Sequence, residues 1–357
     1  MKRRWKILLG AGGLLLAAAL APILTIETSC RSPIEGLETT GYAPLIRDAA
    51  WRREESRTWL TYPEWHIVYS AETFAQHLRH APPSGYHYLR DIRGFWSGYC
   101  AMNQAAGGRA GVDARVMLYT IGLSYSAELL VKALYENTLG RVSEWLGGWH
   151  SADDRYAMQV QQRYGAFMHE TPWYEFPFGK AFSGLWRTNE PHEKFRHWER
   201  RFALSAEYGV KIGYAQLIGW ASGASLGRDE RTLRFVARGT SRAITGIDPR
   251  LKPVGTIGKD IILVEAPRYA QFTELLEKMA ASGTQLVEIS GNDDIFVTLL
   301  LPPRVEVPGP GTHLLTIPVD DPPGWRRIAL STKVPDLLGV LRATHQEGGR
   351  VEHVYDY

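Results

Sequence analysis

The feature that most constrains this chain is its uncharged amino-terminal stretch. The sequence opens MKRRWKILLGAGGLLLAAALAPILTIETSC, with four basic side chains among the first six residues and no charged side chain from 7 to 26. About 20 residues at roughly 1.5 Å each are enough to cross the hydrocarbon core of a bilayer. The sequence therefore predicts a transmembrane anchor at 1–27.

A cleavable secretory signal has the same basic start, so the two are distinguished where the apolar stretch ends. The small-residue run LAAALA is followed at once by Pro22, which suits cleavage poorly, and Glu27 stands where a lipoprotein signal ending at Cys30 has an aliphatic residue. We therefore expect an uncleaved, single-pass anchor in the inner membrane. Because basic residues stay on the cytoplasmic side, the bulk of the chain is expected outside the cytoplasm, as in a bacterial envelope protein.

The composition of the remainder is that of a globular protein without a nucleic-acid partner. The chain has 357 residues, of which 45% are hydrophobic and 22% are charged, which is enough for two domains after the anchor. The 41 basic and 38 acidic residues nearly balance, and no basic stripe follows the amino terminus. Cys30 and Cys100 are the only cysteines. They can pair in an oxidising compartment, but two free thiols are the expectation for so few cysteines.

Hydrophobic periodicity divides the rest of the chain. Residues 28–50 lack sustained periodicity and are predicted to be a linker, whereas 51–229 carry apolar residues at three- and four-residue intervals, which indicates an aromatic-rich helical domain. From 230 to 357, short β-branched segments alternate with two helical ones, PRYAQFTELLEKMAAS and VPDLLGVLRATHQEGG. The predicted fold class is thus a transmembrane helix, an α-helical domain and a ferredoxin-like α+β domain with both helices on one face of its sheet.

Two segments of the helical domain resemble each other, SAELLVKALY at 126–135 and SAEYGVKIGY at 205–214. Each has a glutamate four residues before a lysine, Glu128 with Lys132 and Glu207 with Lys211, so each pair can form along one helix. A match of this length arises about once by chance in a chain of this size, so it suggests a duplication without establishing one.

Three arrangements of the two pairs are open. Each pair is a satisfied ion pair in the core beside its own helix, or the two helices are antiparallel neighbours around a polar pocket, or 116–136 and 203–222 are further spans of a polytopic membrane protein. Two charges in the middle of such spans would cost about 5 kcal/mol on an insertion scale. Buried helices of the globular domain are therefore favoured.

The segment ETPWYEFPF at 170–178 is a rigid aromatic loop, because two prolines fix its backbone. Such a loop caps a helical core, rests on lipid or lines an apolar ligand pocket. The ligand-binding residues that we predict come from this loop and from the two lysines: Lys132, Lys211, Trp173, Tyr174 and Phe176.

Acid–base chemistry has four candidates, Glu64, His66, Glu128 and Glu207, because carboxylates and imidazoles are the usual proton-transfer groups. His77 and His80 lie three residues apart on a predicted helix, where they could share a metal ion. Their spacing matches no closed motif such as H-E-x-x-H, so no metal site is predicted. The sequence contains no glycine-rich phosphate loop, dinucleotide fingerprint or C-x-x-C, and no cofactor is predicted.

Together these features favour a non-catalytic membrane-anchored protein. It would bind a protein partner or an apolar small molecule between the two Glu–Lys helices and the 170–178 loop. The alternative is an enzyme of the helical domain, which requires one of its candidate carboxylates to meet a histidine in a solvent-reachable cleft.

Overall fold

The computed structural model describes residues 20–30, 41–53, 59–106, 111–188, 194–222, 231–319 and 322–356. A helical segment at 20–29 is followed by the helices α1 Tyr62–His77, α2 Tyr88–Ala105, α3 Val112–Tyr135, α4 Arg141–Gly147, α5 Ala152–Met168, α6 Phe178–Leu185 and α7 Lys194–Ser222. None of the helices in this part of the chain combines the length and the apolar character that a membrane span requires. Of the anchor predicted at 1–27, residues 1–19 lie outside the described residues.

The helical part is built from two similar halves. Helix, 3-10 turn and helix follow one another in α1–α2 and again in α5–α6, with the turns at Pro83–Gly85 and Trp173–Glu175. After each turn, a tryptophan donates its indole N–H to a serine of the long helix that comes next. Trp96 bonds Ser126 of α3 at 3.0 Å. Trp186 makes the equivalent bond to Ser205 of α7 at 3.1 Å.

Close helix contacts repeat in the same way. Gly94 of α2 lies against the ring of His66, and a Cβ at this glycine would overlap that ring. Gly184 of α6 lies equally close to Tyr156, and a Cβ at this glycine would overlap the hydroxyl and the ring of that tyrosine. Since glycine is what lets the helices approach so closely at both positions, the resemblance between 126–135 and 205–214 extends to the packing of both halves.

Two four-stranded antiparallel sheets form the carboxyl-terminal part. The first has strand order β2-β3-β1-β4 and the second β6-β7-β5-β8. Their elements are β1 Thr232–Arg238, α8 Ser241–Ile247, β2 Lys252–Thr256, β3 Ile261–Pro267, α9 Ala270–Ser282, β4 Gln285–Ile289, β5 Asp294–Leu301, β6 Thr312–Pro318, β7 Arg326–Lys333, α10 Val334–Gln346 and β8 Arg350–Tyr355.

This confirms the predicted mixture of helices and strands but not a single sheet with two helices. The helices α9 and α10 belong to separate units, because each is followed by a strand that pairs with the first strand of its own unit. β4 pairs with β1, and β8 pairs with β5. One apolar core joins the units, since side chains of both helices and both sheets pack in it.

The second sheet also packs against the helical part. Trp65 of α1 stacks on His353 of β8, with ring centroids 3.5 Å apart, and Tyr69 shares a hydrogen bond of 3.2 Å with Tyr355. Trp65 and Tyr69 are buried in the same cluster as Phe296 of β5. Aromatic stacking therefore fixes α1 to the sheet.

Cys30 and Cys100 form a disulfide bond, so the expectation of two free thiols is wrong. The packing around them explains the pairing. Ile26 and Cys30 are buried against Leu118 of α3, which brings the end of the segment at 20–29 beside α2. Pairing therefore depends on contacts distant in sequence, which the spacing of two cysteines does not reveal.

The described end of the predicted linker is packed. Glu288 of β4 is fully buried and accepts hydrogen bonds from the backbone N–H groups of Leu45 and Ile46, at 2.5 and 2.9 Å. The hydroxyl of Tyr42 bonds the same carboxylate at 2.8 Å. A single buried acid thus holds 42–46 against the first sheet.

Candidate ligand site at a four-ion cluster

The two Glu–Lys pairs meet in one cluster of four ions. Lys132 contacts Glu128 of its own helix at 3.1 Å and Glu207 of α7 at 2.8 Å. Lys211 contacts Glu207 of its own helix at 3.5 Å and Glu128 of α3 at 3.1 Å. Each pair therefore forms along its own helix, as the first of the three arrangements requires. The two helices are also neighbours, as the second requires, and they exchange ion pairs.

Burial and charge act in opposite directions on these groups. Burial favours a neutral Glu128, yet Lys211 and Lys132 outweigh it and hold the pKa of this carboxyl well below its ordinary range. Burial likewise favours neutral lysines, but the carboxylates raise the pKa of both Lys132 and Lys211 above the ordinary range. All four groups are therefore charged at neutral pH, and the cluster has no net charge.

A second group of ions continues the cluster along both helices. Glu136, one turn after Lys132, binds Arg200 of α7 through both carboxylate oxygens, at 3.0 and 3.1 Å. Arg196 is fully buried and joins Glu199 to Asp154 of α5, at 3.2 and 2.7 Å. Glu136 begins a π-helical turn, Glu136–Gly140, between α3 and α4. Such turns are frequent at functional sites.

A cavity of about 230 Å³ lies between these ions and the two halves. Its apolar lining includes Phe74, Leu78, Met158, Leu204 and Tyr208. Its charged lining is Arg79, Lys132, Glu136, Asp154, Arg155, Arg200 and Glu207. An apolar wall with convergent charged groups is the chemistry of a binding site for a molecule that has an apolar body and a polar end.

The cavity corresponds to a difference between the two halves. Pro83, the first residue of the first 3-10 turn, lines it. Trp173 begins the equivalent turn of the second half and packs against Tyr214, with ring centroids 5.3 Å apart. The indole also packs against the apolar core of that half. The first turn thus contributes a small apolar side chain to the cavity wall, whereas the tryptophan of the second turn packs within its own half.

Of the five ligand-binding residues that the sequence predicts, Lys132 alone lines this cavity. Lys211 lies on the other side of the cluster, over the rings of Tyr164 and Phe178 at 4.6 and 5.3 Å. Phe176 is buried in the core of the second half, and Trp173 and Tyr174 are half-buried on the turn beside it. The structure thus separates the aromatic loop from the cavity.

The catalytic candidates do not form one constellation among the described residues. Glu128 and Glu207 are held by the lysines. The Nε2 of His66 bonds the backbone carbonyl of Asp91 at 2.9 Å, and its Nδ1 has no hydrogen-bond partner in the described structure. Burial, with a contribution from Arg327, lowers the pKa of His66 to about 4. Burial raises the pKa of Glu64 to about 7.

Neither of the two histidines considered as metal ligands belongs to a cluster of three or more potential ligands in the described structure. His77 bonds the backbone carbonyl of Pro82 at 2.9 Å, and His80 is exposed. Nowhere in the described ranges do three or more His, Cys, Asp or Glu side chains converge in a way that would hold a metal ion.

The predicted site residues do not include Glu136, Arg200, Arg196 and Asp154, which supply much of the polar lining and its support. A signal was present: Glu128, Lys132 and Glu136 alternate in sign at four-residue intervals, and this continues the ladder by one turn. The pairing of Glu136 with Arg200 depends on how α3 and α7 pack, which the ladder alone does not reveal.

The fold and the site therefore define a mixed α+β protein whose helical part has two similar halves with an ion-lined cavity between them. No protein-family model, no curated protein and no solved structure matches the chain.

Proposed function

We propose that this chain is a membrane-anchored envelope protein that binds, without catalysis, a small molecule with an apolar body and a polar end. The observation that carries the proposal is the cavity between the two halves, with its apolar wall and its ion pairs. Its volume is below the roughly 300–1,000 Å³ of pockets for drug-sized ligands. The ligand is therefore small, or only one end of it enters.

The charged lining favours a ligand whose polar end exchanges hydrogen bonds with paired ions. Glu136 with Arg200 and Glu207 with Lys132 leave no lone charge for a strongly charged ligand to neutralise. The exposed Arg79 and Arg155 add positive charge where the cavity meets solvent. A neutral or singly anionic polar end fits this distribution.

Two features support a location outside the cytoplasm. The uncharged stretch at 7–26 follows a basic start, the order of an anchor whose carboxyl-terminal side is translocated. The disulfide between Cys30 and Cys100 is a bond that oxidising compartments maintain. The strand order of each sheet is that of a split βαβ unit, so we assign a ferredoxin-like architecture to each; it carries no argument about the ligand.

The test transfers the residue of the second half into the first. Pro83→Trp places an indole where the equivalent turn already carries Trp173, so the backbone tolerates it. We expect binding of 1-anilinonaphthalene-8-sulfonate to the full chain in nanodiscs, corrected for empty nanodiscs, to weaken by about tenfold or more.

Glu175→Trp is the matched control, because it adds the same side chain at an exposed position of the second turn. Equal affinity in the wild type and Pro83→Trp would refute the cavity as the ligand site. Dye binding that both tryptophan variants weaken alike would point to a general effect of the substitution and would count equally against the proposal.

A further inference from the structure

The long helices carry an exposed apolar surface of their own. Every exposed residue of the described chain from 116 to 139, and again from 195 to 217, has an uncharged side chain. Among them Val131 is 68% exposed and Phe202 is 69% exposed. In the described chain, the large apolar side chains that are exposed elsewhere are few: Leu20, Leu24, Leu89 and Val254. Exposed apolar surface is therefore concentrated on α3, α4, the end of α6 and α7.

The two stripes lie on neighbouring helices that run antiparallel. Contacts run from Glu128 with Lys211 to Glu136 with Arg200, so the numbering rises along one helix as it falls along the other. The stripe on α3 and α4 extends over about 30 residues, or roughly 45 Å at the rise of a helix. We call the two stripes together the paired-helix face, defined by Val116, Val131, Leu134, Trp198, Phe202 and Val210.

The four-ion cluster between the two helices has no net charge. In the α4 part of the face the exposed residues include Arg141, whose guanidinium donates to the backbone carbonyl of Ser84 at 3.3 Å. Two amphipathic aromatic side chains stand at one end of the face, where α4 lies beside the start of α7. Trp145 of α4 is 84% exposed. Trp198 of α7 is exposed beside Trp186, and Arg201 lies over both rings, at 5.8 and 5.2 Å. Tryptophan with a nearby cation is typical of the boundary between lipid and water.

The segment at 20–30 contacts the start of α3, at the other end of this face. The hydroxyl of Tyr119 donates to Glu27 at 2.6 Å, and Arg115 pairs with the same carboxylate at 3.3 Å. Both residues lie in the first turns of α3, next to Val116. The disulfide of Cys30 fixes the segment there. A bilayer that holds the apolar stretch preceding Glu27 would therefore lie at the start of the paired-helix face.

We propose that the paired-helix face lies on the surface of the bilayer, with its apolar side chains in the boundary between headgroups and acyl chains. Amphipathic helices bind in this way, with apolar side chains about 5–10 Å deep. The inference rests on the proposed anchor. It adds that the body lies flat on the membrane along α3 and α7, and a soluble monomer rarely exposes an apolar surface of this extent.

The test places one fluorescent label on the face and one away from it. Because the native cysteines are paired, Val131→Cys, Phe202→Cys and the control Val254→Cys are each labelled with the fluorophore NBD in the full chain without reductant. Val254 is an exposed valine of β2, 45% accessible. The labelled chains are reconstituted into phosphatidylcholine vesicles with or without a lipid that carries a nitroxide at carbon 5.

We expect the nitroxide lipid to remove about half or more of the emission at 131 and 202, and little at 254, because interfacial helices lie near that depth. Equal, weak quenching at all three positions would overturn the proposal. Blue-shifted emission at 131 and 202 without lipid quenching, with crosslinking that rises with protein density, would show that a second copy covers the face, and would overturn it as well.

Flotation of the same vesicles measures the anchor separately. Chains that fail to float would refute both the anchor and this inference, since the face would then hold nothing at the membrane. Chains that float without quenching at 131 and 202 would refute this inference alone. The dye titration of Pro83→Trp reports on the cavity and is independent of either result.

Discussion

The raised pKa of Glu64 provides a test of burial, because its effect on the free energy of unfolding can be calculated. This half-buried carboxyl lies in the first turn of α1, and burial raises its pKa from 4.5 to about 7. The folded protein therefore holds a proton on Glu64 between these two pH values, whereas the unfolded chain releases it. The contribution of Glu64 to stability is greatest below pH 4.5 and declines as the pH rises to about 7.

The size of this effect on stability follows from the interval between the two pKa values of Glu64. One pH unit corresponds to about 1.4 kcal/mol, so the interval from 4.5 to about 7 gives at most about 3 kcal/mol. The side chain retains some contact with solvent, and we expect about 2 kcal/mol after screening. Glu64→Gln keeps the shape of the side chain and removes the proton equilibrium. The variant should therefore gain about 2 kcal/mol on the wild type between pH 4.5 and pH 7.5.

The assay is urea unfolding of the full chain in mild detergent across this pH range, followed by circular dichroism. Only the difference between the two proteins is compared, because all other titrating groups contribute to both. Glu175→Gln, at an exposed glutamate, controls for the loss of a carboxylate. A difference between wild type and Glu64→Gln that stays constant with pH would show that Glu64 ionises as it does in the unfolded chain, and the reasoning would be refuted.

Three further outcomes follow from the packing. Lys132→Met should lower the free energy of unfolding by about 3 kcal/mol, because it leaves two carboxylates to one lysine. Lys180→Met, at an exposed site, should change it little. Urea titration compares the two variants, and equal losses would contradict the four-ion cluster. Cys100→Ser opens a disulfide between residues 70 apart in sequence and should cost about 4 kcal/mol, measured by thermal unfolding, with no loss if the thiols are free in the native protein. Gly94→Ala and Gly184→Ala should each cost about 1–2 kcal/mol through overlap with a ring, and tolerance of either would mean that the helices lie further apart than in this structure.

Periodicity and local chemistry account for what could be foreseen. Apolar spacing predicts helices up to the end of α7 and strands afterwards, and the four-residue spacing of Glu128 with Lys132 places both on one side of α3. The same physics does not select partners across helices. Which lysine meets Glu207, and whether Cys30 reaches Cys100, depend on contacts between segments about 70 or more residues apart, and spacing along the chain has no information about those.

The division into two sheets illustrates the same limit. The segments of α9 and α10 are both recognisable from apolar periodicity and from a proline near the start of each. The sequence of either segment does not predict that β4 pairs with β1 and β8 with β5, because the pairing of strands depends on the whole sheet. The cavity could not be predicted for a similar reason, since its lining comes from both halves and depends on how α1, α3, α5 and α7 pack together.

The exchange of ion pairs between α3 and α7 is the contact that two identical subunits make around a twofold axis: Lys132 meets Glu207 just as Lys211 meets Glu128. In a homodimer both sides of such an interface must change together, because one gene encodes them. In a single polypeptide the two halves are encoded separately, so equivalent positions can carry different residues. Here Trp173 packs against the core of the second half, while Pro83 at the equivalent turn lines the cavity shared by both halves.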